Sequence, residues 1–578
     1  MAPRLKVLSN VIDRFAKLNA AVTGYLYGIV YEETLTVLTF SINPVDDSDD
    51  PILPIDLQLS LPAEVDLLGI LYVDQYRQDI PDAFKEIDVT DNPLLIKYSL
   101  DATEVNAFYY IHQKLEPINY EVIDESSLLQ NFCYIRLQAN IPFLSEEMNI
   151  MDSLQDTRKY LAAGKVGFYF NESETYLLGN DIKKDTRNMT TKELVNASKN
   201  QNNSKNSKYI PLCFVDTIDA KMFLKMSSEN NLDDEPVHLF APVVQHIKKS
   251  IKYCEMSLKI DTLALVGYNI NMAQLYEILV ESLCRNLRLI SFSFENQLKT
   301  ENMQLQLPEP IHVKPLDFGH LLTAVYPVGL TEAENQIYRR NLHRRFALDL
   351  KKPYFKKENA LRFKNDKEKM VQLINPHEII THPNQNISIV QGQYAYHHYM
   401  QDGIDDSGWG CAYRSLQTIV SWYRLQGYTN KPIPTHREIQ KCLVDIGDKP
   451  SSFIGSKQWI GSTEVGYVLE TLEDIPIRVL SASSGEEMAT LAPDLDRHFR
   501  TQGTPVMIGG GVLAHTILGV SYDESFKNVQ FLILDPHYTG PEQVNTIVNK
   551  GWCGWKKSDF WKKDAFYNMC LPQRPNKF

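Results

Sequence analysis

The apolar positions in the last third of the chain follow two patterns. After Cys411 they recur at helical spacing, at Ala412, Leu416, Ile419, Val420 and Tyr423. This spacing predicts a helix that buries one face and ends near Gly427. Residues 504–511 predict a strand that runs into three glycines, and residues 529–534 form a mostly apolar run of strand-forming residues.

Shorter apolar runs in the first half of the chain predict a mixture of strands and helices. Runs of strand-forming residues predict strands at 25–30, 35–40, 263–267 and 287–290. Residues 273–280 show helical spacing and predict a helix. The chain is therefore expected to belong to the α/β (α+β) class.

Changes in polarity divide the chain into segments. We predict an N-terminal α/β domain at 1–179, a flexible polar linker or loop at 180–209, a second α/β region at 210–330, a basic helical connector at 331–383 and a C-terminal domain at 384–578. The linker is rich in Asn, Ser and Lys and has almost nothing to bury. Residues 210–330 form either a second small domain or the remainder of the first one.

The connector contains a run of basic residues, at Arg339, Arg340, Arg344, Arg345, Lys351, Lys352, Lys356 and Lys357. A charge run of this kind is typical of a solvated helix face. The alternative is a contact with an acidic partner.

Composition and charge limit the classes of function. The 578 residues are 43% hydrophobic and carry a net charge of −13, which argues against nucleic acid as the main partner. Charges such as Arg4 and Asp13 interrupt any signal-peptide core, and the sequence has no apolar run of membrane-spanning length. The eight cysteines lack paired CxxC spacing, so we expect no metal site, disulfide framework or cofactor.

Cys411 is the leading candidate for a nucleophile. It follows Gly408-Trp409-Gly410 and precedes the predicted helix, so a loop delivers its thiol to a helix N-terminus. The N–H groups and dipole of a helix start lower the pKa of a thiol, and glycines let a substrate backbone come close. The alternative is that Cys411 is a small buried hydrophobic residue, as cysteines often are.

The strand predicted at 529–534 runs directly into Asp535-Pro536-His537. In an extended segment positions i and i+2 point to the same face. Asp535 is therefore expected to hold one ring nitrogen of His537 and leave the other for a thiol. The tripeptide by itself is more typical of a turn after a strand.

Other histidines are weaker candidates for the base. His515 is the main rival, but it lacks an adjacent carboxylate and its apolar surroundings favour a buried core histidine. His397 and His398 are expected at most to line the cleft.

Several ordered blocks resemble one family of enzymes. They are Tyr399, Cys411 within GWGCAYRSLQT, Asp535-Pro536-His537, GSKQWIGSTEVG from Gly455, and GGGVLAHTILGV from Gly509. At these positions the chain resembles the Ufm-specific proteases, thiol peptidases that act on the ubiquitin-fold modifier protein.

The resemblance implies a papain-like C-terminal domain with a defined catalytic set. It implies Cys411 as nucleophile, His537 as base, Asp535 as the residue that orients it and Tyr399 as the hydroxyl that stabilises the oxyanion. A phenolic O–H is a suitable donor for that charge. The neighbouring Tyr394, Tyr396 and Tyr413 could serve instead, and the choice of Tyr399 rests on the spacing in the family. Trp409, Gly410 and Trp459 are expected to line a narrow substrate channel.

By the same resemblance, the chain is expected to cleave after the C-terminal glycine of the modifier, both in its precursor and in conjugates. The N-terminal α/β region, including residues 67–73, resembles an MPN domain without metal ligands. In long family members this region is expected to bind a membrane-anchored adaptor, so the enzyme would lie in the cytoplasm, at the endoplasmic reticulum surface or in the nucleus. An autophagy-type cysteine protease and a scaffold with an inactive protease domain are the alternatives.

Overall fold

The computed structural model describes residues 3–43, 54–74, 84–179, 189–202, 217–224, 252–299, 305–315, 317–350, 352–363, 372–383, 385–523 and 528–575. The chain divides into two compact units, the first formed by Met1–Ser207 with Asp216–Leu350 and the second by Lys208–Val215 with Lys351–Phe578. None of the described helices combines the length and apolar character that a membrane span requires.

The first unit begins with an eight-stranded mixed sheet. Its strands are β1 Arg4–Leu8, β2 Val22–Tyr31, β3 Thr34–Ile42, β4 Asp66–Val73, β5 Leu94–Ser99, β6 Glu104–Ile111, β7 Lys114–Ile118 and β8 Tyr120–Ile123. Their order in the sheet is β7-β6-β5-β4-β2-β3-β1-β8, and the helices nearby in the chain are α1 Ser9–Phe15, α2 Pro54–Leu59 and α3 Glu125–Leu129. The strands predicted at 25–30 and 35–40 are confirmed, and the apolar run at 67–73 forms most of β4.

The same unit contains a five-stranded sheet and a two-stranded sheet. The strands are β9 Phe132–Glu146, β10 Val166–Phe170, β11 Thr175–Leu177, β12 Ile218–Leu224, β13 Tyr253–Gly267, β14 Pro308–Val313 and β15 Leu322–Pro327. The order in the larger sheet is β11-β10-β12-β9-β13. The helices are α4 Ile150–Ala162, α5 Thr191–Asn202, α6 Met272–Lys299 and α7 Gln336–Arg345.

The strand predicted at 287–290 is wrong, because these residues lie within the long helix α6. The buried residues Leu283, Leu287, Ile290 and Phe294 continue the helical spacing that begins earlier in this helix. A short apolar run viewed by itself does not distinguish a buried strand from a helix. The strand at 263–267 and the helix at 273–280 are confirmed.

Two segments predicted from polarity contain regular structure. Helix α5 lies inside the stretch predicted as a linker, and residues 180–188 and 203–209 of that stretch lie outside the described residues. In helix α7 the side chains of Arg339 and Arg345 are buried, so the basic run is not simply a solvated face. Arg339 pairs with Glu332 at 2.7 Å, which explains how its charge is accommodated.

The second unit is built on a seven-stranded antiparallel sheet. Its strands are β16 Asn386–Ile389, β17 Ile477–Ala482, β18 Val506–Gly510, β19 Leu513–Tyr522, β20 Gln530–Leu534, β21 Cys553–Lys557 and β22 Tyr567–Pro572. The main order is β17-β22-β18-β19-β20-β21, with β16 also paired to β19. The helices are α8 Cys411–Leu425, α9 His436–Asp445, α10 Ser462–Glu473, α11 Ala492–Thr501 and α12 Val544–Asn549.

Both faces of this sheet are covered. Alternate residues of β20 point into different cores: Leu532 packs with residues of α8, whereas Phe531 and Ile533 pack with residues of α11. Since both faces of β20 are buried, residues 531–534 form an unbroken apolar run rather than an alternating one. Helix α8 begins at Cys411 and ends before Gly427, as predicted, and Gly427 has a left-handed φ of 75°.

Candidate active site

Cys411 is the first residue of helix α8. Gly410 caps the helix and has no side chain to bond its first N–H groups, and the Tyr399 side chain hydrogen-bonds with the backbone of Cys411. Gly410 is also required by packing, since a Cβ there would lie 2.6 Å from the Cβ of Asp406. The chain thus places a thiol at the positive end of a helix dipole.

Asp535 and His537 follow directly after β20. Oδ1 of Asp535 lies 2.5 Å from Nδ1 of His537 and also accepts the His537 backbone N–H at 3.0 Å. The other ring nitrogen, Nε2, is buried and has no nitrogen or oxygen partner among the described residues, which leaves it for the thiol of Cys411. The imidazole is therefore held on one side and available on the other.

The Cys411 thiol and the His537 imidazole shift each other's pKa values in opposite directions. Burial raises the pKa of Cys411, but a side-chain hydrogen bond with His537, that residue's charge and the backbone N–H of Ala514 bring it below its usual value. Burial lowers the pKa of His537, whereas Asp535 and Cys411 together raise it to about 9. The arrangement favours a thiolate beside an imidazolium.

The hydroxyl of Tyr399 belongs to the same group. Burial, followed by the charge of Cys411, raises the pKa of Tyr399 above its usual range, and its side chain hydrogen-bonds with Cys411. The Tyr399 ring packs edge-on against the His537 ring, with centroids 5.2 Å apart. A neutral phenol that keeps its proton remains a hydrogen-bond donor next to the sulfur.

The three rival tyrosines have other partners. The hydroxyl of Tyr394 bonds with His377 at 2.8 Å, and that of Tyr413 donates to the carbonyl of Gln458 at 3.0 Å. The hydroxyl of Tyr396 donates to the backbone carbonyl of Asp535. The choice of Tyr399, which the sequence left to family spacing, thus also agrees with the hydrogen bonding.

His515 lies closer to Asp535 than the sequence indicated. Its Nε2 is 3.8 Å from Oδ2 of Asp535, and burial lowers the pKa of His515 to about 4. His515, Asp535 and His537 offer ligand atoms that lie within 4.8 Å of one another, which is a spacing a metal ion could bridge. The short bond between Asp535 and His537 already uses two of those atoms and favours a base with its orienting carboxylate.

His397 and His398 are buried rather than placed along the cleft. Burial lowers the pKa of His397 to about 3. The Nε2 of His398 lies 2.9 Å from Oε1 of Glu542. Neither histidine is among the residues that line the cleft beside Cys411, so the expectation that they line it is wrong.

A cleft of about 260 Å³ opens beside the thiol. It is lined by Cys411, Trp459, Ile460, Gly461, Ser462, Thr463, Gly509, Gly510, Val512, Leu513, Ala514 and Asn568. Trp459 is 56% exposed and donates its indole N–H to the carbonyl of Gly408 at 3.0 Å. Small residues and glycines dominate the lining, as a narrow channel for an extended, small-residue peptide requires.

One edge of the cleft is the turn between β18 and β19. Gly511 and Val512 have left-handed φ angles of 56° and 79°, and Gly510 pairs with Leu513 across the turn. A left-handed conformation is unfavourable for a β-branched residue. Val512 is nevertheless held there with 73% of its surface exposed. Strain of this kind is common at functional sites.

Trp409 packs within the loop that precedes Cys411 and stabilises it. Its ring packs edge-on against the rings of Tyr413 and His436, and its indole N–H reaches the carbonyl of Asp405 at 3.3 Å. Of the three residues predicted to bind substrate, Trp459 lines the cleft, whereas Trp409 and Gly410 shape the loop behind it.

A buried ion pair fixes the same loop. Asp406 accepts the Nε of Arg414 at 2.6 Å, the Nε2 of His436 at 3.0 Å and the backbone N–H of Met400 at 2.9 Å. Both Arg414 and Asp406 have fully buried side chains. Sequence reasoning missed this pair. The available signal was an arginine among the apolar positions of helix α8.

Three family models match the chain. Residues 385–570 match peptidase family C78. Residues 1–128 match an insect UFM1-specific protease N-terminal MPN-like domain, and residues 170–368 match the N-terminal region of ubiquitin-fold modifier 1 specific protease 2.

Relatives and a solved structure extend this similarity to the whole chain. A probable Ufm1-specific protease 2 of Drosophila pseudoobscura pseudoobscura is 37% identical over 100% of both chains. The mouse Ufm1-specific protease 2 is 48% identical over 59% of this chain and 74% of its own. The crystal structure of UfSP from C. elegans matches 100% of both chains with a TM-score of 0.72 and 26% identity.

These findings confirm the family resemblance, the α/β class, the papain-like C-terminal domain and the MPN-like character of the N-terminal region. The domain boundaries and the roles of the individual site residues stay predictions. The chain belongs to the Ufm1-specific proteases, a family of cysteine peptidases.

Proposed function

We propose that Cys411, His537, Asp535 and Tyr399 are the catalytic set of a peptidase and isopeptidase for the ubiquitin-fold modifier. The observation that carries this proposal is the position of the His537 ring, which bonds with Asp535 at 2.5 Å on one side and interacts with the Cys411 thiol on the other. A nucleophile, a base and an orienting group are thereby joined in one chain of contacts.

The reaction follows from these positions. The Cys411 thiolate attacks the carbonyl carbon of the modifier's C-terminal glycine, and the negative charge develops on the carbonyl oxygen. The Tyr399 hydroxyl and a backbone N–H at the start of helix α8 stabilise that charge. His537 gives its proton to the leaving amine, and a thioester remains on Cys411. His537 then takes a proton from water, which attacks the thioester and releases the modifier.

The cleft supports a glycine at the scissile position. Gly461, Gly509 and Gly510 lie along it together with Cys411, and the Trp459 ring forms part of its wall. A tail that ends in glycine can pass such a channel as an extended chain, whereas bulky side chains would meet its walls. The leaving amine is either the next residue of a precursor or a lysine of a conjugated protein, so one site serves both reactions.

The decisive test is covalent labelling. A modifier with a C-terminal electrophile should label the full chain but not the Cys411→Ala variant, and ubiquitin with the same electrophile should not label either. The purified chain should also release the modifier from a conjugate. Labelling of ubiquitin, or modifier labelling that persists in Cys411→Ala, would overturn the proposal. The family findings favour neither an autophagy-type protease nor an inactive scaffold.

We also propose that the N-terminal part recruits the enzyme to the endoplasmic reticulum surface through a membrane-anchored adaptor. The support is the match of residues 1–128 and 170–368 to N-terminal regions of Ufm1-specific proteases, outside the peptidase model. Fractionation of cells should place a share of the full chain with microsomal membranes. Extraction with detergent should release it together with a membrane protein, and a chain found only in the cytosol or nucleus would contradict recruitment.

A further inference from the structure

Tyr399 lies in a loop whose backbone is unfavourable by itself. The two non-glycine residues Met400 and Asp402, just after Tyr399, have left-handed φ angles of 65° and 59°. Each such residue costs roughly 1–3 kcal/mol and persists only where surrounding contacts hold it. The direction of the Tyr399 hydroxyl therefore depends on what holds this loop.

The carboxylate of Glu542, which lies in the chain segment after His537, contacts this loop. Oε1 of Glu542 lies 2.9 Å from Nε2 of His398 and accepts from Nε2 of Gln401 at 2.6 Å. These two residues flank Tyr399 in the chain. Glu542 itself follows His537 in the same segment, between Tyr538 and helix α12.

Further bonds join the same two segments. The backbone N–H of Tyr399 donates to the carbonyl of Pro536 at 3.0 Å. Nδ1 of the buried His398 lies 3.1 Å from the carbonyl of Tyr538 and 2.9 Å from that of Tyr399. Glu542 adds side-chain contacts to these bonds. The loop that carries Tyr399 and the segment that carries His537 are therefore held together.

We infer that Glu542 is a positioning residue, which holds the Tyr399 hydroxyl in register with Cys411 and His537. The inference rests on the proposed function, because it acts through the oxyanion role of Tyr399. Glu542 makes no contact with Cys411 or His537 among the described hydrogen bonds. Its side chain is 31% exposed, so its truncation opens no large cavity in the core.

The test is a double-mutant cycle on the full chain. Glu542→Ala should lower kcat by roughly 10–100-fold with KM nearly unchanged, since a displacement of about 1 Å at a reacting group has effects of that size. In a Tyr399→Phe background the same change should lower kcat by less than about threefold, because the group that Glu542 positions has been removed. Glu542→Gln keeps an oxygen acceptor and should retain most of the activity.

Two controls separate positioning from a loss of folded protein. All variants are normalised to active sites titrated with the modifier electrophile. Glu486→Ala removes an exposed glutamate that pairs with Lys563 at 3.5 Å, and it should leave kcat unchanged. Equal losses from Glu542→Ala in both backgrounds, or no loss in the wild-type background, would refute the inference. If Tyr399→Phe by itself leaves kcat unchanged, the oxyanion role in the proposed function fails instead.

Discussion

The second carboxylate oxygen of Asp535 lies 3.8 Å from Nε2 of His515, so the residue that orients the proposed base has histidines on both of its oxygens. The two rings lie 5.4 Å apart. Their pKa values are shifted in opposite directions, to about 4 for His515 and about 9 for His537. Both rings lie near the carboxylate, but only His537 is within hydrogen-bond distance of Asp535 and also interacts with the thiol of Cys411.

His537→Ala should remove most of the activity, by roughly 10²–10⁴-fold or more, because no other group then accepts and returns the proton. His515→Gln, which keeps a polar group of similar size, should change kcat/KM by less than about tenfold. Steady-state rates on a modifier conjugate, with thermal unfolding as a check, measure both. A comparable loss from both folded variants would leave the base unassigned.

Tyr399→Phe should lower kcat by about 10²–10³ and leave KM within a small factor, because an oxyanion donor acts mainly in the transition state. Tyr396→Phe is the matched control. Its hydroxyl donates to the carbonyl of Asp535, so its loss should lower stability by about 1–3 kcal/mol and the rate by less than about tenfold. If the large drop in kcat occurs at Tyr396 instead, the wrong tyrosine has been chosen.

The pH profile of kcat/KM should be bell-shaped. The thiolate–imidazolium pair exists only above the lowered pKa of Cys411 and below the pKa of His537, which is raised to about 9. Activity should thus rise through the first value and fall through the second. Asp535→Asn removes a carboxylate that raises the pKa of His537, so the alkaline limb should move to lower pH. An alkaline limb that does not move would show that Asp535 does not set that pKa.

Gly509→Ala tests whether the glycine-lined cleft serves the substrate or the fold. The backbone φ there is ordinary, and an added Cβ would lie 3.5 Å from Met507 Cε, which is normal contact. The variant should fold. An extra methyl group in a tight contact costs about 1–3 kcal/mol, so kcat/KM for the modifier should fall by roughly 5- to 150-fold.

Alkylation of Cys411 by iodoacetamide should continue at the wild-type rate in Gly509→Ala, since this small reagent needs no channel. Gly554→Ala is the control, because a Cβ at Gly554 would meet nothing within 4 Å. An unchanged kcat/KM in Gly509→Ala would show that the tail of the modifier does not pass this glycine.

Asp406→Ala should destabilise the second unit by roughly 1–3 kcal/mol, because the fully buried Arg414 loses one of its two carboxylate partners and keeps Asp402 at 2.7 Å. Asp405→Ala, one residue earlier and exposed, should change stability by less than about 0.5 kcal/mol. Denaturant unfolding of the full chain, followed by a probe in the second unit, measures the difference. Similar unfolding midpoints for the two variants would refute this role of the ion pair.

The features that sequence predicted well are local ones. The helix at Cys411 and the strand before Asp535 follow from spacing and apolar runs within a few residues. Local reasoning failed where the answer depends on pairing between distant segments. His515 approaches Asp535 because β19 pairs with β20, with Thr516 opposite Leu534. Glu542 reaches His398 across 144 residues of chain, and no local pattern marks that contact.

The nucleophile sits on a helix that water scarcely reaches. Every residue from Ala412 to Tyr423 is buried. Backbone amides in such a helix exchange their hydrogens with solvent only when the domain as a whole unfolds, whereas amides of exposed turns exchange through small local openings. We expect the slowest exchange of the second unit along this helix and faster exchange at the turn of Gly511 and Val512. The thiol would then keep its position while the surrounding loops move to let the C-terminal tail of a folded protein enter the cleft.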